Sequence, residues 1–99
     1  MTFSLSEHGE VFSTRPRGAR LRAEALACKA RGEDLTISFS GVRSISYSFA
    51  DEFLGPIMIG NNKAVLEDIP PSLHRVIVGA LKRRGVRTAG LNISTTASA

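Results

Sequence analysis

The fold is decided by one stretch of the sequence, residues 37–55, which reads ISFSGVRSISYSFADEFLG. Its first residues continue a pattern that starts at Asp34, in which apolar and polar side chains alternate as far as Ser40. Because successive side chains of a strand point to opposite faces, this period of two predicts a β-strand over 34–40 with one buried face. Gly41 interrupts the alternation and ends the predicted strand.

The second half of the same stretch predicts a helix that starts at Ser48. Ser48 followed by Asp51 has the form of a capping box, and Phe49 and Phe53 lie one helical turn apart. Pro56 has no N–H to donate to the helix. We therefore expect a kink or an early end of the helix at this proline.

The flanking sequence predicts further helices and strands. Apolar residues at helical spacing indicate a first helix over about 16–31 and a third helix from 71 or 72 to 84. A short strand is predicted over 64–69. Residues 1–12 alternate around a turn at Gly9, which predicts a β-hairpin.

The predicted order of elements is ββαβαβα, which indicates an α/β fold. We expect one small domain over 1–89, with a mixed sheet and helices packed mainly on one face. Residues 90–99 are rich in Ser, Thr and Ala, which is typical of a disordered tail. The predicted core contains Phe39, Val42, Ile45, Phe49, Phe53, Val76, Ile77 and Leu81.

Composition limits the classes of protein that this chain can belong to. Its 99 residues include 13 Lys and Arg against 9 Asp and Glu, a formal net charge of +4 that raises the question of an acidic partner. The sequence has no apolar run long enough to cross a membrane and no signal-peptide pattern, so we expect a cytoplasmic protein. The single cysteine, Cys28, excludes an internal disulfide and falls on the apolar stripe of the first helix, where we expect it in the core.

The motif over 37–55 resembles the signature of STAS-like domains, small bacterial relatives of the sulfate-transporter and anti-sigma-factor-antagonist domain. That signature is a strand ending in Phe-Ser-Gly-Val, followed by Ser-x-Ser-Phe-Ala-Asp-Glu at the start of a helix. Residues 39–42 and 46–52 match it, and residues 14–22 match the Thr-Arg-x-x-Gly-x-x-Leu-Arg pattern that precedes the first helix in such proteins. The resemblance covers about residues 12–84.

The resemblance also implies a function. Anti-sigma antagonists of the STAS type bind an ATP-dependent kinase that doubles as an anti-sigma factor, and phosphorylation of a serine at the start of the helix ends this binding. The matching serine here is Ser48. Phe49 stands where the family usually has glycine, and Asp51 and Glu52 place negative charge within one turn of such a phosphate. The alternative role of Ser48 is a plain N-cap.

Partner contacts are predicted at the same helix start, on Ser46, Tyr47, Ser48, Asp51 and Glu52. Tyr47 lies between two serines, where its ring either stands exposed as a contact for a protein partner or a base, or packs over the sheet edge. Adjacent helical positions point about 100° apart, so Asp51 and Glu52 cannot converge on one substrate atom as a catalytic pair.

Arginines are concentrated around the start of the first helix, the end where the helix dipole disfavours cations. We interpret this group as a candidate anion-binding site, with a solvated face paired to Glu10 or Glu24 as the alternative. Its members are Arg15, Arg17, Arg20 and Arg22. A second basic group over 82–87 follows the third helix, where the dipole favours it.

These features favour a non-enzymatic protein-interaction module with regulatory function. The sequence shows no nucleophile–base pair and no phosphate-binding glycine loop, so we expect neither catalysis nor a cofactor. His8 and His74 have no metal-binding spacing, so no metal site is predicted. The expected partner is a kinase-like ATPase or an anti-sigma-type regulator, and homodimerisation is left open. The alternative is a small basic nucleic-acid-binding protein that uses the two arginine groups.

Overall fold

The computed structural model describes residues 2–28, 35–59, 64–86 and 93–95. In these residues the chain is an α/β fold with three α-helices, as the sequence predicts. The elements in chain order are β1 (Thr2–Ser4), a short 3₁₀ helix (Leu5–His8), β2 (Val11–Phe12), α1 (Arg15–Cys28), β3 (Leu35–Ser38), β4 (Ser44–Ile45), α2 (Tyr47–Ile59), β5 (Ala64–Ile69), α3 (Pro71–Arg83) and β6 (Ile93–Thr95).

The strands form a four-stranded sheet in the order β1-β3-β5-β6 and a two-stranded pair of β2 with β4. Each of these ladders is parallel. The predicted hairpin over residues 1–12 is therefore wrong, and with it the antiparallel pair it would have added to a mixed sheet. The 3₁₀ helix separates β1 from β2, and each of the two strands pairs with a different later strand.

The helices cover one face of the four-stranded sheet. Leu35 and Ile37 of β3 and Leu66 of β5 are fully buried, whereas Thr36 and Val65, which point the other way, are half-buried. Of the eight predicted core residues, Val76 is half-buried at the edge of the core and the other seven are buried. The seven are Phe39, Val42, Ile45, Phe49, Phe53, Ile77 and Leu81.

Two predictions about single residues and segments need correction. Cys28 is exposed, because the buried stripe of α1 ends with Ala25 and Cys28 is the last residue of the helix. The predicted disordered tail over 90–99 includes Ile93–Thr95, which form β6 beside β5. The rest of that tail lies outside the described residues.

Helix α2 begins at Tyr47, one residue before the predicted start, and its N-cap lies two residues before the predicted one. The Ser46 hydroxyl accepts a hydrogen bond from the Phe49 N–H (3.1 Å) and donates one to the Ser13 carbonyl (2.9 Å), so Ser46 is the N-cap. The predicted capping box of Ser48 with Asp51 is wrong. The reason is a hydrogen bond from the Ser46 N–H to the Phe12 carbonyl (2.9 Å). This bond continues the pairing of the chain with β2 up to Ser46, and the helix begins directly after it.

Helix α2 lies between α1 and α3 and packs closely against α1 at Gly18. A Cβ atom at Gly18 would lie 3.2 Å from the Glu52 Cβ, 3.3 Å from the Phe49 carbonyl oxygen and 3.4 Å from the Phe53 nitrogen. Glycine therefore sets the distance between the two helices. The helix continues through Pro56 to Ile59, so its predicted early end is wrong.

No helix within the described part of the chain has the length and apolar character that spanning a bilayer requires.

The contact at Gly18 predicts opposite effects for one substitution at two helical glycines. Gly18→Ala should lower the free energy of unfolding by about 1 kcal/mol or more, because three α2 atoms at 3.2–3.4 Å from the new methyl group, two of them backbone, would have to move by a few tenths of an ångström. Gly79→Ala should raise it by about 0.5–1 kcal/mol, since a Cβ there meets nothing within 4 Å and alanine favours a helix. Urea unfolding measures both, and a stabilising Gly18→Ala would contradict the close approach.

Candidate functional site at the start of helix α2

Arginines from two other parts of the fold converge on Asp51, in the second turn of α2. Arg15, the first residue of α1, donates from Nη1 to Asp51 Oδ2 at 2.8 Å. Arg84, just beyond α3, donates from Nε to Oδ1 at 2.7 Å and from Nη2 to Oδ2 at 3.4 Å. One carboxylate therefore joins all three helices of the described fold.

The two guanidiniums keep Asp51 ionised. Its side chain is only 15% exposed. The hydrogen bonds from Arg84 and then Arg15 lower the pKa of Asp51 to about 2, against a smaller opposing effect of burial. At neutral pH this group is a fixed negative charge rather than a proton donor.

Glu52 is held by Arg22 from α1. Arg22 Nη1 donates to Glu52 Oε2 at 2.9 Å, and Arg15 Nη1 lies 3.6 Å from Glu52 Oε1. The Arg22 hydrogen bond is the main cause of a lowered pKa of Glu52. Asp51 and Glu52 thus both approach the same Nη1 atom of Arg15, so the expectation that adjacent helical positions keep the two carboxylates from converging on one atom is wrong.

Arg22 also repairs the hydrogen bond that Pro56 removes. In an α-helix the N–H of residue 56 would donate to the carbonyl of Glu52, but proline has no N–H. Arg22 Nη1 donates to this Glu52 carbonyl in its place. This contact explains how α2 continues to Ile59 beyond an internal proline.

Gly55 makes room for Arg84. It lies four residues after Asp51, on the same side of α2. A Cβ atom at Gly55 would lie 2.8 Å from Arg84 Nε and 2.9 Å from its Cδ, closer than atoms can pack. Arg84 therefore reaches Asp51 by crossing the helix where there is no side chain.

The other two arginines of the predicted anion-binding group lie elsewhere. Arg17 donates to the carbonyls of His8 and Val11, the latter at 3.0 Å, and lies over the Phe12 ring at 4.6 Å. Arg20 is exposed on α1. The four arginines therefore do not form one group in the structure. Arg15, Arg17 and Arg22 contact other residues of the chain, and none of these contacts is the expected pairing with Glu10 or Glu24. Anion binding by the group stays a prediction.

The predicted partner-binding residues differ in exposure. Ser46 is engaged as the N-cap, and Ser48 is half-buried in the first turn of α2. The Tyr47 ring is half-buried and packs against the core, so of the two alternatives the structure favours packing over exposure. The hydroxyl of Tyr47 is enclosed and has no hydrogen-bond partner among the described residues. Contact of any of these residues with a partner stays a prediction.

A pocket of about 400 Å³ opens beside Tyr47 and Asp51. Its other walls are Arg15, Arg83 and Arg84. The Arg83 guanidinium lies 5.8 Å from the centre of the Tyr47 ring. The sequence analysis assigned Arg83 and Arg84 to the end of α3 and missed their place here. The signal that points to them is Gly55, a glycine within a helix four residues from an aspartate.

The described residues hold no cluster of His, Cys, Asp and Glu side chains that could bind a metal ion.

A family model described as a STAS-like domain of unknown function (DUF4325) matches residues 17–69, which include the α1–α2 contact, Asp51, Gly55 and Pro56. The chain belongs to this STAS-like family. Comparison with curated proteins and with solved structures finds no match. Arg15 and Arg84, the two partners of Asp51, lie outside the matched part of the STAS-like domain.

The link between Arg22 and Pro56 predicts a coupling that stability measurements detect. Arg22→Ala should cost the STAS-like domain about 2 kcal/mol, because the Glu52 carbonyl loses its donor along with the ion pair. In a Pro56→Ala background the residue-56 N–H supplies that donor, so Arg22→Ala should cost about 1 kcal/mol less. Urea unfolding compares the native chain, the two single variants and the double variant. Additive effects on the free energy of unfolding would contradict the idea that the residue-56 N–H and Arg22 serve the same carbonyl.

Asp51 predicts a specific acid sensitivity. Because folding lowers its pKa from 3.8 to about 2, the ionised carboxylate stabilises the fold above about pH 4, and this contribution is lost as pH falls towards 2. Asp51→Asn should therefore be about 2 kcal/mol less stable than the native chain at pH 7, and the difference should shrink towards pH 2. Glu7→Gln, an exposed change of the same charge, is the matched control. A difference that does not vary with pH would show that the ion pairs do not cause it.

Proposed function

We propose that this STAS-like domain is a non-enzymatic protein-interaction module whose partner docks at the start of α2. The docking surface is formed by Tyr47 and Ser48, with Ser46 fixing the chain below them and Asp51 and Glu52 fixing the helix. Ser48 is the proposed phosphoacceptor. The partner class, a kinase-like ATPase or anti-sigma-type regulator, comes from the family resemblance.

This proposal rests on one observation: the start of α2 is half-exposed, yet ion pairs hold the helix in place. Asp51 is tied to Arg15 and Arg84, and Glu52 is tied to Arg22, so α2 is held from both neighbouring helices. Ser48 stays half-exposed in the first turn. A surface that is already ordered loses little conformational entropy on binding, which favours recognition by a partner.

The chemistry of the two acidic residues supports an interaction role over catalysis. General acid–base catalysis needs a group whose pKa lies near the working pH. Arginine contacts lower the pKa of both Asp51 and Glu52, the first to about 2. They are suited to hold α2 in place and unsuited to exchange protons with a substrate.

The same contacts weaken the case for nucleic-acid binding. Recognition of a nucleic-acid backbone, unlike that of a single phosphate group, requires an extended set of cations whose charge is not already balanced by carboxylates. Arg15, Arg22 and Arg84 are paired with carboxylates and Arg17 with carbonyls. The Tyr47 ring, which could have stacked on a base, packs against the core instead.

Site-specific photocrosslinking tests the docking surface. A photoreactive residue at Ser48 should crosslink one ATP-binding regulatory protein in the cells that make the chain, while the same residue at Ala23, exposed on α1, should not. Equal crosslinking from both positions would contradict docking at α2, and an adduct of two copies of the chain would assign the surface to homodimerisation. Strong binding of random DNA at low salt that collapses as salt rises would favour the nucleic-acid alternative.

The crosslinked partner then tests Ser48 as a switch. Ser48→Ala should bind the purified partner like the native chain, and Ser48→Asp should bind it about tenfold more weakly, because negative charge there meets Asp51 and Glu52. Isothermal titration measures both affinities. Equal affinities for the two variants would rule out control by charge at Ser48.

A further inference from the structure

The pocket beside α2 has strongly basic walls. Three arginines and one carboxylate line it, so its walls carry a formal net charge of +2. Asp51 occupies Arg15 Nη1 and two nitrogens of Arg84, but each guanidinium has five N–H donors. Arg83 is exposed and forms no ion pair among the described residues. Donors therefore remain for a negatively charged ligand.

Tyr47 adds an enclosed donor without a partner. Its hydroxyl is buried and makes no hydrogen bond within the described part of the chain. A buried hydroxyl left unpaired costs about 1–3 kcal/mol, so such groups in native proteins call for an explanation. Tyr47 and Arg84 both line the pocket. A shift of the ring would bring the buried hydroxyl into contact with an acceptor oxygen of a ligand in the pocket.

The helix ends around the pocket reinforce its positive potential. Arg15 and Tyr47 are the first residues of α1 and α2, so two helix N-termini with their partial positive charge border it. The C-terminus of α3 is also near, but its Leu81 and Lys82 carbonyls accept hydrogen bonds from the N–H groups of residues 84–86. The opposing negative end is thus partly neutralised.

From this geometry we propose that the pocket binds a phosphate monoester through Arg83, Arg84, Arg15 and the Tyr47 hydroxyl. Planar guanidiniums match the oxygens of a phosphate, and a neutral phenol donates to one. The volume of about 400 Å³ exceeds a single phosphate ion and leaves space for the group that carries it. The site differs from the predicted arginine group, with which it shares only Arg15, and it does not depend on the proposed partner.

Titration with three probes tests the proposal at constant ionic strength. The probes are inorganic phosphate, O-phosphoserine and adenosine monophosphate, each followed by isothermal titration and by thermal stabilisation of the full chain. Both esters should bind saturably and more tightly than inorganic phosphate. Which of the two esters binds more tightly shows whether the phosphate monoester of this site belongs to a phosphorylated side chain or to a nucleotide.

Variants separate this site from general attraction between charges. Arg83→Gln should weaken binding of the tighter ester about tenfold, whereas Arg75→Gln, the same charge change at an exposed position of α3 outside the pocket, should leave it within about twofold. Tyr47→Phe should also weaken binding about tenfold, yet without ligand it should unfold at the same or a higher temperature than the native chain. The proposal is overturned if no probe binds at about 10 mM, or if Arg75→Gln weakens binding as much as Arg83→Gln.

Discussion

The Asp51 carboxylate accepts hydrogen bonds from Arg15 at the start of α1 and from Arg84 just beyond α3, while α2 carries it. An ionised group that is 15% exposed is costly to bury unless its oxygens are paired. The pairing in turn imposes conditions on its neighbours. Gly55 must lack a side chain so that Arg84 can pass, and Gly18 must lack one so that α1 comes near enough. Gly18, Gly55 and Asp51 therefore depend on one another in the packing of the three helices.

Pro56 of α2 and Arg22 of α1 form a second pair of residues that depend on each other. A proline inside α2 leaves the Glu52 carbonyl without its usual donor, and a side chain from α1 supplies one. Arg22 of α1 is therefore basic for a structural reason, which the position of this residue in the sequence does not indicate. Much of the net charge of +4 comes from arginines whose donors are used inside the fold. The cations that remain exposed, such as Arg20 and Arg83, are the informative ones for binding.

Local patterns predicted the elements whose stability is local. The alternation from Asp34 to Ser40 indicated β3, and the apolar positions from Leu73 to Leu81 indicated α3, because one buried face produces a clear period in the sequence. The hairpin failed because β1 and β2 pair with β3 and β4, whose positions no local signal specifies. The start of α2 was misplaced because serines at both 46 and 48 fit an N-cap. The hydrogen bond from the Ser46 N–H to the Phe12 carbonyl decides in favour of Ser46. The pocket could not be predicted since Arg84 reaches Asp51 only through tertiary packing.

The order in which the chain is synthesised gives the Asp51 interaction another significance. Its partners are separated from it by 36 residues on one side and 33 on the other. Arg15 leaves the ribosome well before Asp51, but Arg84 is added 33 residues after Asp51. A nascent chain that ends before Arg84 carries the aspartate with only one of its two partners, so the three helices cannot be joined through Asp51 until Arg84 has been added and has left the ribosome.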